Sequence, residues 1–132
     1  MSAASKQKFR TPLRGVHGLG AGHSGTGHFW HQRVTSVALI SLTAIFVVIV
    51  VALLGRNHAA VVQILGSPLV AILMLLFIGT SIYHMWLGMQ EIIVDYIHHD
   101  LLKLYLLMSN TFFCIFVGVT CGFAILKLSF GV

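Results

Sequence analysis

Three stretches without a single charged residue constrain what this chain can become: Val34 to Leu54, Pro68 to Gln90 and Leu104 to Leu126. A hydrocarbon core of roughly 30 Å is crossed by about 20 apolar residues rising 1.5 Å each, and each run is long enough. Each is therefore expected to span a membrane as a helix. With 58% apolar and 8% charged residues in 132 and a mean hydropathy of +0.95, the chain lacks the charge to cover a water-facing surface, and lipid is its solvent. The runs divide it into an N-terminal segment over 1–33 and spans over 34–56, 67–97 and 101–128. This is an all-α membrane protein of three transmembrane helices in an up-down-up unit, too small to enclose a cofactor alone. The first ten residues, MSAASKQKFR, have no apolar centre, so no cleavable signal peptide is expected.

The net charge of +5 is placed as a topology signal. Lys6, Lys8, Arg10, Arg14, Arg33 and Lys103 fall on one side of a three-span arrangement, and Arg56 and Lys127 on the other. The positive-inside rule then puts the N-terminus in the cytoplasm and the C-terminus outside, and nucleic-acid binding is excluded. Cys114 and Cys121, seven apart inside the third run, have neither CxxC nor cluster spacing. They are read as packing residues, so any iron–sulfur cluster belongs to a partner.

Residues Arg14 to His28 carry six glycines in fifteen positions and have little drive to fold alone; docking on a partner would order them. No strand precedes these glycines and no GKS or GKT follows, so they form no phosphate loop. From about His28 the chain becomes helix-like, and HFWHQR places aromatic and basic anchors at the inner face. The first helix is expected to end near Gly55-Arg56-Asn57. His58 to Gly66 reads as a mildly amphipathic connector, and Ser67-Pro68 as an N-cap with proline in the first turn. The second helix runs on through Glu91 and Asp95 to about Ile97, with His98-His99-Asp100 as the turn. Gly118 and Gly122 form a GxxxG, a frequent helix-contact motif of low specificity.

The residues lipid should reject are the informative ones. Phe77, Ser81, His84, Gly88, Glu91 and Asp95 follow at spacings of 4, 3, 4, 3 and 4, which puts them on one helical face. Such a face points at protein, water or a cofactor. His84 lies about 16 Å along the axis from Asp95, deep enough to coordinate a haem iron, with Gly88 one turn away leaving room for a macrocycle. The plainer reading is a histidine hydrogen-bonded to a neighbouring helix. It is the only histidine at membrane depth, since His17, His23, His28, His31, His58, His98 and His99 lie outside the runs. A second axial ligand would come from another subunit or a second copy. Asp95-Tyr96, where the helix leaves the inner face, suits quinone chemistry: the phenol donates to a carbonyl, and the carboxylate orients it or relays protons. The alternative is an interfacial tyrosine beside a solvated aspartate. Arg33 either neutralises a haem propionate or anchors the span. Trp86, Met85 and Met89 read as packing, and Ser109-Asn110-Thr111 as a source of interhelical hydrogen bonds.

Tyr83-His84-Met85-Trp86-Leu87-Gly88-Met89-Gln90, continuing to Asp95-Tyr96, resembles the signature of the D-type membrane anchors of succinate dehydrogenase. The upstream RTPLRGVHGLGAGHSGTGHFWHQRVTSVAL is similar to the N-terminal part of alphaproteobacterial and related mitochondrial versions. The serine-rich segment of the companion C-type anchor is not found. The resemblance implies a helical bundle formed as a heterodimer with a C-type anchor. It implies His84 as an axial ligand of haem b shared with that anchor, Tyr96 as a ubiquinone ligand supported by Asp95, and Arg33 at the haem propionates. Succinate oxidation would take place on a flavoprotein subunit, with electrons passing through an iron–sulfur subunit to quinone, so this chain is a non-succinate-oxidising subunit of the enzyme. A bacterial inner membrane is the expected location, with the mitochondrial inner membrane as the alternative. Two other functions compete: the anchor of a quinol:fumarate reductase, and a non-redox structural or channel-like membrane protein with one polar helix face.

Overall fold

The computed structural model describes residues 23–131, with side chains from Thr26 onward; the basic and glycine-rich residues before His23 lie outside the described residues. Within them the chain is helical: α1 His23–Leu53, α2 His58–Leu65, α3 Pro68–Tyr96 and α4 Asp100–Phe130. The three long helices are long and apolar enough to cross a membrane. The shortest, α3, has 29 residues and spans about 43 Å at 1.5 Å per residue. That exceeds a hydrocarbon layer of roughly 30 Å, so the helices tilt or project past it. Helix α1 starts at His23, earlier than the expected onset near His28, because its first turns continue into polar residues without a proline or a stop.

Each junction has a local cause. Gly55, at φ 72°, takes the left-handed conformation that glycine adopts without steric cost, and Arg56 N–H donates to Leu53 O at 3.2 Å. The expected connector over His58 to Gly66 is itself a helix, α2. Asn57 caps it by accepting from the Ala60 N–H at 2.9 Å, which satisfies one of the orphan donors of a helix start. Ser67 occupies the N-cap position of α3 ahead of Pro68, but its hydroxyl makes no cap; it donates backwards to Ile64 O at 2.7 Å. Helix α3 ends at Tyr96. Lys103 then donates from α4 to Val94 O at 3.0 Å, a cation placed on the carbonyl end of a helix.

Helix α3 is central, with α1 against one side and α4 against another; α2 lies against α3 and α4 at the end where α4 finishes. Very little is buried within the chain. Ala71, Leu87, Ile93, Cys114 and Asn110 are buried, while many large apolar side chains from Phe29 to Phe130 are exposed. In water that surface would drive aggregation. In lipid it carries no penalty, and helices associate through close packing and interhelical hydrogen bonds. Both occur. Gly118 of α4 lets Ile82 come so near that a Cβ there would sit 3.3 Å from Ile82 Cδ1, whereas Gly122 has open space around it. Only the first glycine of the GxxxG pair is a contact. Trp86 Nε1 donates to Thr111 Oγ1 at 3.1 Å, and Asn110 Nδ2 to Trp86 O at 3.2 Å. Asn110 and Thr111 thus supply the expected interhelical bonds. Ser109 makes no hydrogen bond among the described residues.

Candidate functional site between α1 and α3

The polar stripe of α3 is turned towards α1 over its middle. Phe77 stacks on Phe46 with ring centroids 4.6 Å apart and planes at 12°. Two turns further on, His84 Nδ1 lies 2.9 Å from Thr35 Oγ1. At Gly88 the nearest heavy atom a Cβ would meet is Gln32 Nε2, at 3.7 Å. These pairs run antiparallel, so their register is fixed at three levels. Glu91 and Asp95 continue the stripe beyond the contact and are exposed.

His84 sits near the midpoint of α3 and is half-buried. The plainer reading of this residue, a bond to a neighbouring helix, is realised through Nδ1. It does not exhaust the side chain, because an imidazole has two nitrogens with separate roles. Nε2 makes no hydrogen bond among the described residues. The buried side-chain polar atom left without a partner there is a different one, Gln32 Oε1, so Nε2 reaches the surface of the chain. An imidazole held at one nitrogen and open at the other could give one ligand to a metal or haem. The orphaned Gln32 Oε1 and the missing Cβ of Gly88 lie on the same stretch of the α1–α3 seam. Gln32 of α1, not open space, stands beside Gly88, so it is the open Nε2 of His84 that fits a haem iron approached from outside this chain. Among the described residues no group of three or more His, Cys, Asp or Glu could hold a bare metal ion; a haem iron needs only one ligand from each side, because the porphyrin supplies the rest.

Arg33 is not at the head of its helix. Ten residues of α1 precede it, and its neighbours Gln32 and Thr35 meet Gly88 and His84, so it lies level with the middle of the site. Two residues from Thr35 is about 200° around a helix, which turns Arg33 away from α3. Its guanidinium rests over the Phe29 ring, 4.4 Å from the centroid, a cation–π contact. The structure does not bring Arg33 and His84 together within this chain.

At the end of α3 the sequence neighbours Asp95 and Tyr96 also separate. One residue is about 100° of helical rotation, so the carboxylate continues the α1-facing stripe while the phenol faces the α4 side. No hydrogen bond joins the two side chains. Tyr96 is 77% exposed and stands at an open groove of about 370 Å³ between α3 and α4, with Ser109, Asn110 and apolar Ile93 and Phe113 among its walls. An apolar groove with a few polar groups at its rim is the usual form of a site for an amphipathic ring.

Sequence reasoning missed Thr35, Gln32 and the contact of His31 with Tyr83, whose hydroxyl lies 3.3 Å from His31 Nδ1. Thr35 and Gln32 are polar residues near the start of the first apolar run. What would have singled them out is the antiparallel pairing of α1 with α3, which no single helix encodes.

Comparison with known proteins gives the family. The model of the succinate dehydrogenase/fumarate reductase transmembrane subunit family covers residues 7–122. The chain is 30% identical over 105 residues to the succinate dehydrogenase hydrophobic membrane anchor subunit of Paracoccus denitrificans, covering 80% of this chain and 81% of that one. It is 29% identical over 107 residues to the subunit of the same name from Rickettsia bellii, covering 81% and 86%. No solved structure matches it significantly. Three long apolar helices, with the family match running from residue 7 to residue 122 and so into the last of them, make the chain a member of the succinate dehydrogenase/fumarate reductase transmembrane subunit family.

Proposed function

We propose that the chain is the D-type membrane anchor of a succinate:ubiquinone oxidoreductase, respiratory complex II. It would hold the flavoprotein and iron–sulfur subunits at a bacterial inner membrane, pair with a C-type anchor, and contribute to the haem b and ubiquinone sites. The observation that carries the haem part is His84: fixed through Nδ1 to Thr35 and open at Nε2 at mid-helix. The likeness to named succinate dehydrogenase anchors supports succinate oxidation over the reverse reaction.

On this reading His84 would give one nitrogen to the haem iron, and the C-type anchor would hold the haem from the other side. Haem b, when bound, stores and releases single electrons. Gly88, one turn from the ligand, gives the Gln32 side chain of α1 its place against α3. Arg33, level with the site on the outward side of α1, is available to a propionate or to the headgroup region. Tyr96 donates a hydrogen bond to a quinone carbonyl, which polarises it and favours its reduced form. Asp95, exposed at the same helix end, exchanges protons with water, since reducing a quinone to a quinol consumes two. The basic residues before the first span and Lys103 support a cytoplasmic N-terminus and α3–α4 turn, the side on which the soluble subunits would dock.

The test is purification of the complex through a tag on this chain. Flavoprotein and iron–sulfur subunits should co-purify, and dithionite should reveal a b-type spectrum that His84→Ala removes or alters. Tyr96→Phe should slow succinate:ubiquinone turnover by about 10-fold, the size of one lost hydrogen bond of about 1.4 kcal/mol, with succinate oxidation by a soluble dye unchanged. A colourless preparation without those partners would leave a structural membrane protein.

A further inference from the structure

We infer that Thr35 is the positioning residue that sets the tautomer and orientation of His84, holding Nε2 as the lone-pair nitrogen; this rests on the haem-ligand reading of His84. The geometry carries the inference. Thr35 Oγ1 lies 2.8 Å from His31 O, 3.0 Å from Gln32 O and 2.9 Å from His84 Nδ1. The hydroxyl has one proton for these three neighbours. Two oxygens as close as Thr35 Oγ1 and His31 O repel unless a proton lies between them, and their separation is that of an ordinary O–H···O bond. The proton of Thr35 therefore goes to the carbonyl one turn back in α1, the usual back-bond of a helical threonine. Its oxygen is left as an acceptor, and Nδ1 of His84 must be the donor.

A neutral imidazole with its proton on Nδ1 has its lone pair on Nε2, the nitrogen without a partner among the described residues. The reverse arrangement, with Thr35 donating to Nδ1, would protonate Nε2 and block coordination. The hydroxyl thus does for His84 what a carboxylate or carbonyl does for many metal-ligating histidines: it selects the tautomer, fixes the ring plane and raises the basicity of the ligating nitrogen. Because α1 supplies Thr35 and α3 supplies His84, the ring is held in this tautomer and orientation only when these helices are docked. Phe46 on Phe77 and Gln32 beside Gly88 hold that docking on either side along the seam.

The experiment compares Thr35→Val, which keeps the shape and loses the acceptor, with Thr35→Ser, which keeps the hydroxyl, in the purified complex. Loss of an outer-shell partner of this kind typically weakens metal binding about 10–100-fold. Thr35→Val should therefore release haem about 10-fold more readily or beyond. The ligand becomes less basic and the ferric state loses more than the ferrous, so a tenfold difference raises the one-electron midpoint potential by about 59 mV. Thr35→Ser should restore both. Independently, 15N spectra of histidine-labelled full-length chain in bilayers without haem should show His84 protonated at Nδ1, a preference lost in Thr35→Val. Haem present but with retention and potential unmoved by Thr35→Val, or a proton found on Nε2 in the wild type, overturns the inference while leaving His84 as ligand. A His84→Ala complex with an unchanged b-type spectrum overturns the ligand reading, and this inference with it.

Discussion

At the scale of single residues, the chemistry of this chain turns on which atom of a side chain is occupied. His84 is engaged and available at once, because hydrogen bonding takes one ring nitrogen and leaves the other. Trp86 also divides its groups. The sequence reads it as packing, yet its indole N–H is given to Thr111 and its backbone carbonyl accepts from Asn110. Asn110 is the buried polar residue of the described chain, and its amide oxygen also receives the Cys114 thiol at 3.5 Å. Replacing it by leucine should weaken α3–α4 association by about 0.6 kcal/mol and at most about 1.7 kcal/mol, the average and the maximum for interhelical hydrogen bonds in membranes. Thermal unfolding of the detergent-solubilised complex checks this. A transition unchanged in Asn110→Leu would mean that the Trp86–Thr111 bond and apolar packing hold the pair without Asn110. Asp95 and Tyr96 carry the opposite lesson, because neighbours in sequence stand about 100° apart on a helix. A single site acting through both would have to be completed by groups from another chain, so Asp95→Asn and Tyr96→Phe should affect quinone reduction differently. Tyr96→Phe is expected to raise KM for quinone as well as slow turnover, and Asp95→Asn to leave KM and lower kcat. Steady-state kinetics with a soluble quinone separates the two.

At the scale of the element, α3 organises the molecule because it has two working faces. Its polar stripe meets α1 through an aromatic stack, a hydrogen bond and a glycine gap, and its other side meets α4 through Trp86 and Ile82. The stripe was legible from spacings of 3 and 4 alone. The helix that covers it was not, since any neighbour with small and polar residues would satisfy such a face. Glycine shows how far a motif carries. Gly118 is a contact and Gly122 is not, while Gly66, part of no motif, makes the closest approach among the described glycines. A Cβ at Gly66 would fall 2.8 Å from Leu128 O and 2.8 Å from Val62 O, both backbone atoms that cannot swing aside. Gly66→Val should therefore force α2 off the end of α4 and lower the yield of assembled complex, whereas Gly122→Ala should be neutral. Co-purification of the partner subunits with each variant measures the difference.

At the scale of the whole molecule, three long helices with almost nothing buried among the described residues form a unit whose apolar surface suits lipid. If the basic residues set the orientation as proposed, the turn at Arg56 and the turn at His98-His99 face opposite sides. A cysteine placed at Asn57 should react with an impermeant maleimide from the periplasmic side and one at His99 only from the cytoplasmic side, in a background where Cys114 and Cys121 are replaced. Labelling of both from one side would remove the three-span topology. The family was legible in the motif around His84 and in the likeness to known anchors, while length and periodicity determined three crossings and the polar face of α3 that carries His84. These follow from local rules, in which the rise and the rotation of each helical residue fix span and face. Only the tertiary structure decided that α1 covers the stripe, that Thr35 takes Nδ1 of His84 and that Tyr96 parts from Asp95. Those outcomes depend on the rotation and register of one helix against another, and in lipid these are chosen by close packing and a few hydrogen bonds between residues far apart in the chain.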